Sequence, residues 1–163
     1  MTLRIQVTNM KELVSQLDGL ESDMKGKIIQ AAMLDGAKLL KTSAKAHAPL
    51  RTGRFMSSIR SRRLKKKEFR GSDEIGAVVD FNPKIARYAY IVEGGAKAHT
   101  IKPKNKKALK FRGAMLAKVK HPGTRGKDVL RRTALLVSSG VQRVIGESIT
   151  KRLAKIISKR GLK

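Results

Sequence analysis

A chain of 163 residues and 18.0 kDa accommodates one ordinary domain with a packed core and is too short for two large domains and a linker. Its 40% hydrophobic content excludes disorder throughout, yet with four Phe, two Tyr and no Trp the core has to be built from aliphatic side chains. The absence of cysteine excludes disulfides, thiol nucleophiles and thiolate metal sites, while 38 Lys and Arg against 12 Asp and Glu leave a net +26 that demands anionic surroundings.

In chain order, Leu3, Ile5 and Val7 alternate with polar residues as in a half-buried strand, and Thr8-Asn9 then caps a short helix around Met10 to Leu17. From Leu20 the positions Met24, Ile28, Ala31, Ala32, Leu39 and Leu40 recur at helical spacing, predicting one long helix that ends before Pro49, with Gly26 and Gly36 as tolerated weak points. His47, near its end, suits the negative end of the helix dipole. Leu50 to Arg54 reads as a turn, Phe55 to Leu64 as a strand, Gly71-Ser72-Asp73 as a second turn and Ile75 to Phe81 as a returning strand, forming a hairpin. Asn82-Pro83 opens a short helical segment that Glu93-Gly94-Gly95 closes, glycine supplying the positive φ. Three short strands follow, His99 to Lys102, Ala108 to Phe111 and Leu116 to Lys120, with Pro103-Lys104-Asn105-Lys106 turning the first into the second. Beyond Pro122-Gly123-Thr124, the positions Leu130, Ala134, Val137, Val141, Ile145, Ile149, Leu153 and Ile156 predict a long amphipathic helix to about Lys159.

The expected fold class is α+β, an antiparallel sheet of short strands with the long N- and C-terminal helices packed on one face. One domain over residues 1–163 is expected, from which the basic C-terminal helix over 127–160 can extend. The sequence shows no internal repeat and no apolar run long enough to span a bilayer, and MTLRIQVTNMKELV lacks the order of a secretory signal, so cytoplasmic synthesis without a membrane partner is expected.

Charge is unevenly distributed. Met1 to Asp35 carries four basic and five acidic residues, a net of −1, and the remainder carries +27. Between Glu93 and Asp128 there is no acidic residue, while Lys97, Lys102, Lys104, Lys106, Lys107, Lys110, Arg112, Lys118, Lys120, Arg125 and Lys127 all lie there. Further basic clusters occupy Arg60 to Arg70 and Lys151 to Lys163. A single cluster of this kind is ordinarily a solvated face, but three of them point to an anionic partner.

Catalytic chemistry finds no constellation. His47, His99 and His121 occupy three different kinds of position and form no metal-binding spacing, so no metal site is expected. The carboxylates Asp73, Glu74, Asp80 and Glu93 lack the context of an acid and base couple, and a metal-dependent nuclease needs clustered acids where this chain has only lysine and arginine. Gly94-Gly95 and Gly123-x-x-Gly126 fit neither phosphate-loop nor dinucleotide fingerprints and read as turns. The expectation is a protein that is not an enzyme and carries no cofactor. Contact with nucleic acid, with Phe111 the lone aromatic among the basic strands, would be to the backbone, sequence-blind and salt-dependent.

An ordered set of short motifs adds a resemblance. Pro49, Thr52 and Gly53 follow the long helix in Ala48-Pro49-x-x-Thr52-Gly53, and Tyr88-Ala89-Tyr90-x-x-Glu93-Gly94-Gly95 comes next. Then stand His99-x-Ile101-x-Pro103-x-x-x-Lys107-Ala108-Leu109-x-Phe111, His121-Pro122-Gly123-Thr124 and Leu130-Arg131-x-x-Ala134-Leu135. In order and spacing, over roughly Ala48 to Leu135, this resembles the minor tail component family of lambdoid phages, also described as neck or tail-completion proteins. Family members usually carry Gly-Thr where this chain has Gly94-Gly95, and Pro-Phe where it has Asp128-Val129, which removes an aromatic anchor from the start of the last helix.

The resemblance implies a structural virion protein at the head-to-tail joint. It would be a homo-oligomeric ring of six subunits, seated between head-closure or connector and tail-terminator proteins, around a channel for genomic double-stranded DNA. Six copies at +26 each carry +156. Duplex DNA presents one charge per about 1.7 Å, so a ring on the order of 40 Å thick faces about 24 phosphates. Most of the charge therefore has to face solvent or acidic neighbours, leaving a modest channel band expected at Lys102, Lys104, Lys106, Lys107, Lys110 and Arg112. The alternative reading is a free-standing, sequence-non-specific nucleic-acid-binding protein, distinguished by DNA binding that survives near physiological salt.

Overall fold

The computed structural model describes residues 3–4, 22–64, 75–104, 107–111 and 113–160. Helix α1 (Ser22–Ala46) buries Ile28, Ala32, Met33, Ala37, Leu40 and Ala44, whose steps of one, three and four residues place them along one face. It ends ahead of Pro49, and Nδ1 of His47 lies 2.8 Å from the Ser43 carbonyl oxygen, at the negative end of the helix where it was expected.

Gly53, at φ +66, starts a short helix α2 (Arg54–Ser58), with its carbonyl accepting the Ser57 N–H at 2.9 Å. The strand expected from Phe55 therefore begins later, as β2 (Ile59–Arg63). Phe55 and Ile59 are one helical turn apart, and the backbone becomes extended at Ile59, where ψ is 119°. Strand β3 (Ala77–Phe81), buried at all five positions, is the centre of a three-stranded antiparallel sheet between β2 and β1 (Leu3–Arg4). Ile59 stands opposite Phe81, Arg63 opposite Ala77 and Leu3 opposite Val79. The predicted turn at Gly71-Ser72-Asp73, the short helix around Met10 to Leu17 and the first strand beyond Arg4 lie outside the described residues.

The sheet carries its own charge pairing. Buried Asp80, directly opposite Arg60, accepts Nε–H of Arg60 at 2.7 Å and of Arg62 at 2.9 Å, so two cations answer a carboxylate removed from water. Phe81 packs against Phe55 and, edge to face, against Tyr90, with ring centroids 5.0 and 5.5 Å apart, and the Tyr90 hydroxyl donates to the Phe81 carbonyl.

Helix α1 rests on β2 and β3, and the long C-terminal helix α4 (Val129–Arg160) packs along α1. The predicted stripe on α4 holds: Leu130, Val141, Ile145 and Ile149 are buried, and Ala134, Val137, Leu153 and Ile156 pack against the same core. Among the described residues no helix is long and apolar enough to cross a membrane. Gly36 departs from its reading as a weak point, because a Cβ there would sit 2.7 Å from Cγ1 of Ile145 and 3.2 Å from Cγ1 of Val141. The missing side chain is what lets the two helices approach. Beside it, Asp35 accepts hydrogen bonds from Lys38 at 2.9 Å, Ser148 at 2.8 Å and Arg152 at 2.7 Å, tying α1 to α4.

The start of α4 is set by a residue far away in sequence. Helix α3 (Ala89–Gly94) places Glu93 in the core, where one carboxylate oxygen accepts the Val129 N–H and the other the Leu130 N–H, both at 2.8 Å. Two donors that a helix start leaves without intrahelical partners are thereby satisfied, and the negative charge faces the positive end of the α4 dipole. The main chain repeats the link: Lys127 donates to the Val92 carbonyl at 2.8 Å and Asp128 to the Glu93 carbonyl at 3.0 Å. Asp128 holds φ +49 and Val129 is buried, so capping and an aliphatic side chain stand where the resembling family has an aromatic anchor.

Three outcomes follow for stability. Gly36→Ala should destabilise the protein by about 1–3 kcal/mol, since overpacking outweighs the gain of about 1 kcal/mol in helix propensity. Gly26→Ala, whose Cβ would meet only Cδ1 of Ile75 at an ordinary 3.5 Å, should stabilise it, and a pair of urea titrations giving the same sign for both would disprove this distinction. Glu93→Ala orphans two buried N–H groups and should cost about 3 kcal/mol, lowering Tm by on the order of 10 °C, with Glu93→Gln intermediate. A calorimetric Tm for the alanine variant equal to wild type would contradict the capping role.

The third outcome concerns acid. Partial burial acts to raise the Asp35 pKa, but hydrogen bonds from Lys38, Arg152 and Ser148 and the charge of Lys38 outweigh it and bring it from 3.8 down to about 2. A folded pKa below the unfolded one gives stability that is complete above the unfolded value and is lost as pH falls through the folded one. The contribution is at most about 2 kcal/mol, reduced by solvent screening of the exposed Lys38. The difference in unfolding free energy between wild type and Asp35→Asn should therefore shrink between about pH 4 and pH 2. A difference constant over that window would refute it.

Candidate nucleic-acid interface

Beyond α3 the chain leaves the core. Between Gly95 and Thr124 no residue with a described side chain is buried or belongs to the hydrophobic core. The segment forms a nested antiparallel ribbon in which β4 (His99–Ile101) pairs with β7 (Val119–His121), enclosing β5 (Leu109–Phe111) paired with β6 (Ala114–Leu116). This replaces two expectations. The first strand does not turn into the second at Pro103, and the predicted strand Leu116 to Lys120 divides into β6 and β7, which serve different partners. Gly113, at φ +86, stands between Phe111 and its partner Ala114 and lets β5 and β6 close upon each other, leaving β4 to pair with the returning β7.

Residues directly opposite one another share a face of the ribbon. His99 and His121 stack across the strands with ring centroids 5.0 Å apart, beside Ile101 and Val119. The histidines, distant in sequence, are thus brought together, with Nδ1 of His121 accepting the Gly123 N–H at 3.0 Å. No carboxylate joins them, and the described residues contain no group of three or more His, Asp or Glu able to hold a metal ion. The alternate face of β4 and β7 carries Thr100 opposite Lys120, and in the β5–β6 pair Lys110 stands opposite Met115.

Of the cations predicted to line a channel, Lys102, Lys104, Lys107 and Lys110 are exposed on this arm, and Lys106 and Arg112 lie outside the described residues. The register adds exposed Lys120, which spacing alone did not single out because its strand partner Thr100 is twenty residues away, and Lys118 just before β7 is exposed beside it. Pro103 is half-buried on the arm, and Pro122 is exposed where β7 leaves for Gly123.

The arm is rooted by close backbone contact. Ala96 and Thr124 exchange two N–H···O bonds of 2.8 Å. At Gly95, φ +76, a Cβ would lie 2.5 Å from the Thr124 carbonyl oxygen, and at Gly123, φ +94, it would lie 2.5 Å from that of Ala96. These glycines permit two backbone segments to touch as well as turn, which explains the absence of threonine at position 95. At Gly94, by contrast, a Cβ would meet nothing within 4 Å.

The earlier motif residues gather at the same root. Pro49, Thr52 and Tyr88 line a recess of about 490 Å³ with Phe55, Val92 and Lys127. Pro49 and Lys127 also border a second recess of about 600 Å³ that reaches His47, Arg125, Arg132 and Leu136. Glu93 meets Leu130 at the head of α4, and Arg131 is exposed beside it. Motifs spread over some eighty residues thus converge on the junction of α1, α3, α4 and the arm.

The family described as "Bacteriophage HK97-gp10, putative tail-component" matches residues 11–95, just over half of the chain. Searches of curated proteins and of solved structures gave no match. The chain belongs to this HK97-gp10-like family of phage tail components, structural virion proteins rather than enzymes.

Proposed function

We propose that the protein works at the head-to-tail joint as a neck or tail-completion component. Several copies, six in this reading, form a ring between the head-closure or connector layer and the tail terminator, and genomic DNA passes through it. The observation that carries the proposal is the arm between Gly95 and Thr124, which lies outside the core, contains no acid and presents Lys102, Lys104, Lys107, Lys110 and Lys120 to solvent. An isolated two-stranded ribbon is marginal in water, so an arm of this kind is best stabilised within an assembly.

Lysines on a ribbon contact phosphates without reading bases, which suits a conduit through which any sequence must slide. A band of a few cations per copy lowers the repulsion of DNA by the assembly without gripping it, because each contact exchanges with counterions. The remaining charge is left for solvent and for acidic surfaces of neighbouring proteins.

Electron cryomicroscopy of the neck in intact particles should find the arms of neighbouring copies directed at the axis with Lys102, Lys104 and Lys107 facing DNA. All three pointing away from the axis would overturn the assignment. Lys104→Glu combined with Lys107→Glu should leave Tm unchanged, since both positions are exposed, yet lower the yield of infectious particles by about tenfold through lost phosphate contacts.

A further inference from the structure

We infer that the paired recess around Pro49 is a docking site for an acidic segment of a neighbouring virion protein that inserts an apolar residue. The inference rests on the proposed place of this chain at a joint between virion proteins, and it assigns a role to cations outside the channel band. Its walls combine two chemistries. Arg51 and Arg54 border one end, Arg125 and Arg132 the other, and Lys127 is shared by both recesses, with no carboxylate among the described lining residues. The apolar part comes from Pro49, Val129 and Leu136 in the larger recess.

Around it Leu50, Leu135 and Leu136 are 73%, 74% and 69% exposed, an unusual concentration in a chain whose core is short of large side chains. Thr133 lines the larger recess, and its Oγ1 is the one buried side-chain polar atom without a partner among the described residues. A carboxylate or main-chain carbonyl entering beside it would accept a hydrogen bond from its hydroxyl.

Charge and shape select the occupant. Two copies meeting at this face would set Arg51, Arg54, Arg125, Arg132 and Lys127 against their own counterparts, and like charges across an interface oppose association, so contacts between copies of the ring belong to other surfaces. The DNA backbone offers phosphates but no apolar group to fill the space between Pro49 and Leu136, whereas a peptide supplies both an anchor side chain and a surrounding acidic rim.

The test uses the full chain in solution near physiological salt and a fluorescein-labelled synthetic peptide of alternating Asp and Glu with two central leucines. Fluorescence anisotropy should show saturable binding that weakens about tenfold when the leucines become glycine, and by a similar factor in Leu136→Asp and Arg132→Glu, exposed positions whose substitution spares the fold. Lys104→Glu with Lys107→Glu on the arm should leave peptide binding unchanged. Equal affinity for the glycine peptide, indifference to Leu136→Asp, or a short DNA duplex whose own binding is lost in Leu136→Asp would each overturn the inference. Failure here with arms found at the DNA axis removes the docking site alone. Peptide binding retained by a protein whose arms avoid the axis removes the channel reading alone.

Discussion

One carboxylate determines how the two halves of this molecule meet. Glu93, buried at the end of a six-residue helix, receives the first two N–H groups of a helix of 32 residues. A buried charge without partners would be untenable, and a helix start without a cap would leave donors unpaired, so each makes the other possible. The direction of α4 along α1 follows from this junction. The exit of the arm follows too, because Gly95, Ala96, Thr124 and Gly126 touch one another between the end of α3 and the start of α4.

The same junction separates roles that share one excess of positive charge. On the core side, two carboxylates each hold two cations: Arg60 and Arg62 answer Asp80, and Arg152 and Lys38 answer Asp35. On the arm no acid is present to match, and every described lysine faces outwards. Paired cations hold the fold, and unmatched ones remain available for anions brought by other molecules. In a structural tail component this division allows a highly charged chain to hold its fold with a few paired cations while presenting a charged surface to its surroundings.

Packing shows comparable economy. With few aromatic residues, the core depends on close helix approach, and Gly36 supplies it by removing a side chain opposite Ile145. The three rings of Phe55, Phe81 and Tyr90 are spent together where α2, β3 and α3 join. Position 129 offers a parallel case, with buried Val129 and a remote carboxylate cap standing where resembling proteins place an aromatic residue.

Periodicity and turn residues determined the local structure of this protein: the spacing of small aliphatic residues prescribes both long helices, Pro49 limits the first, and turn residues bound β3 and the short basic strands. The ordered motifs, together with the missing catalytic constellation, were sufficient to indicate a phage structural component. Only the tertiary structure decided what lies beside what. Glu93 as a cap for α4, the stack of His99 on His121, the nesting of β5 and β6 inside β4 and β7, and the meeting of Pro49 with Lys127 and Leu136 all join residues distant in sequence. Local propensity reports how each residue constrains its neighbours along the chain, but burial and hydrogen-bond satisfaction are settled between segments, and those are what assembled the arm and the recess at its root.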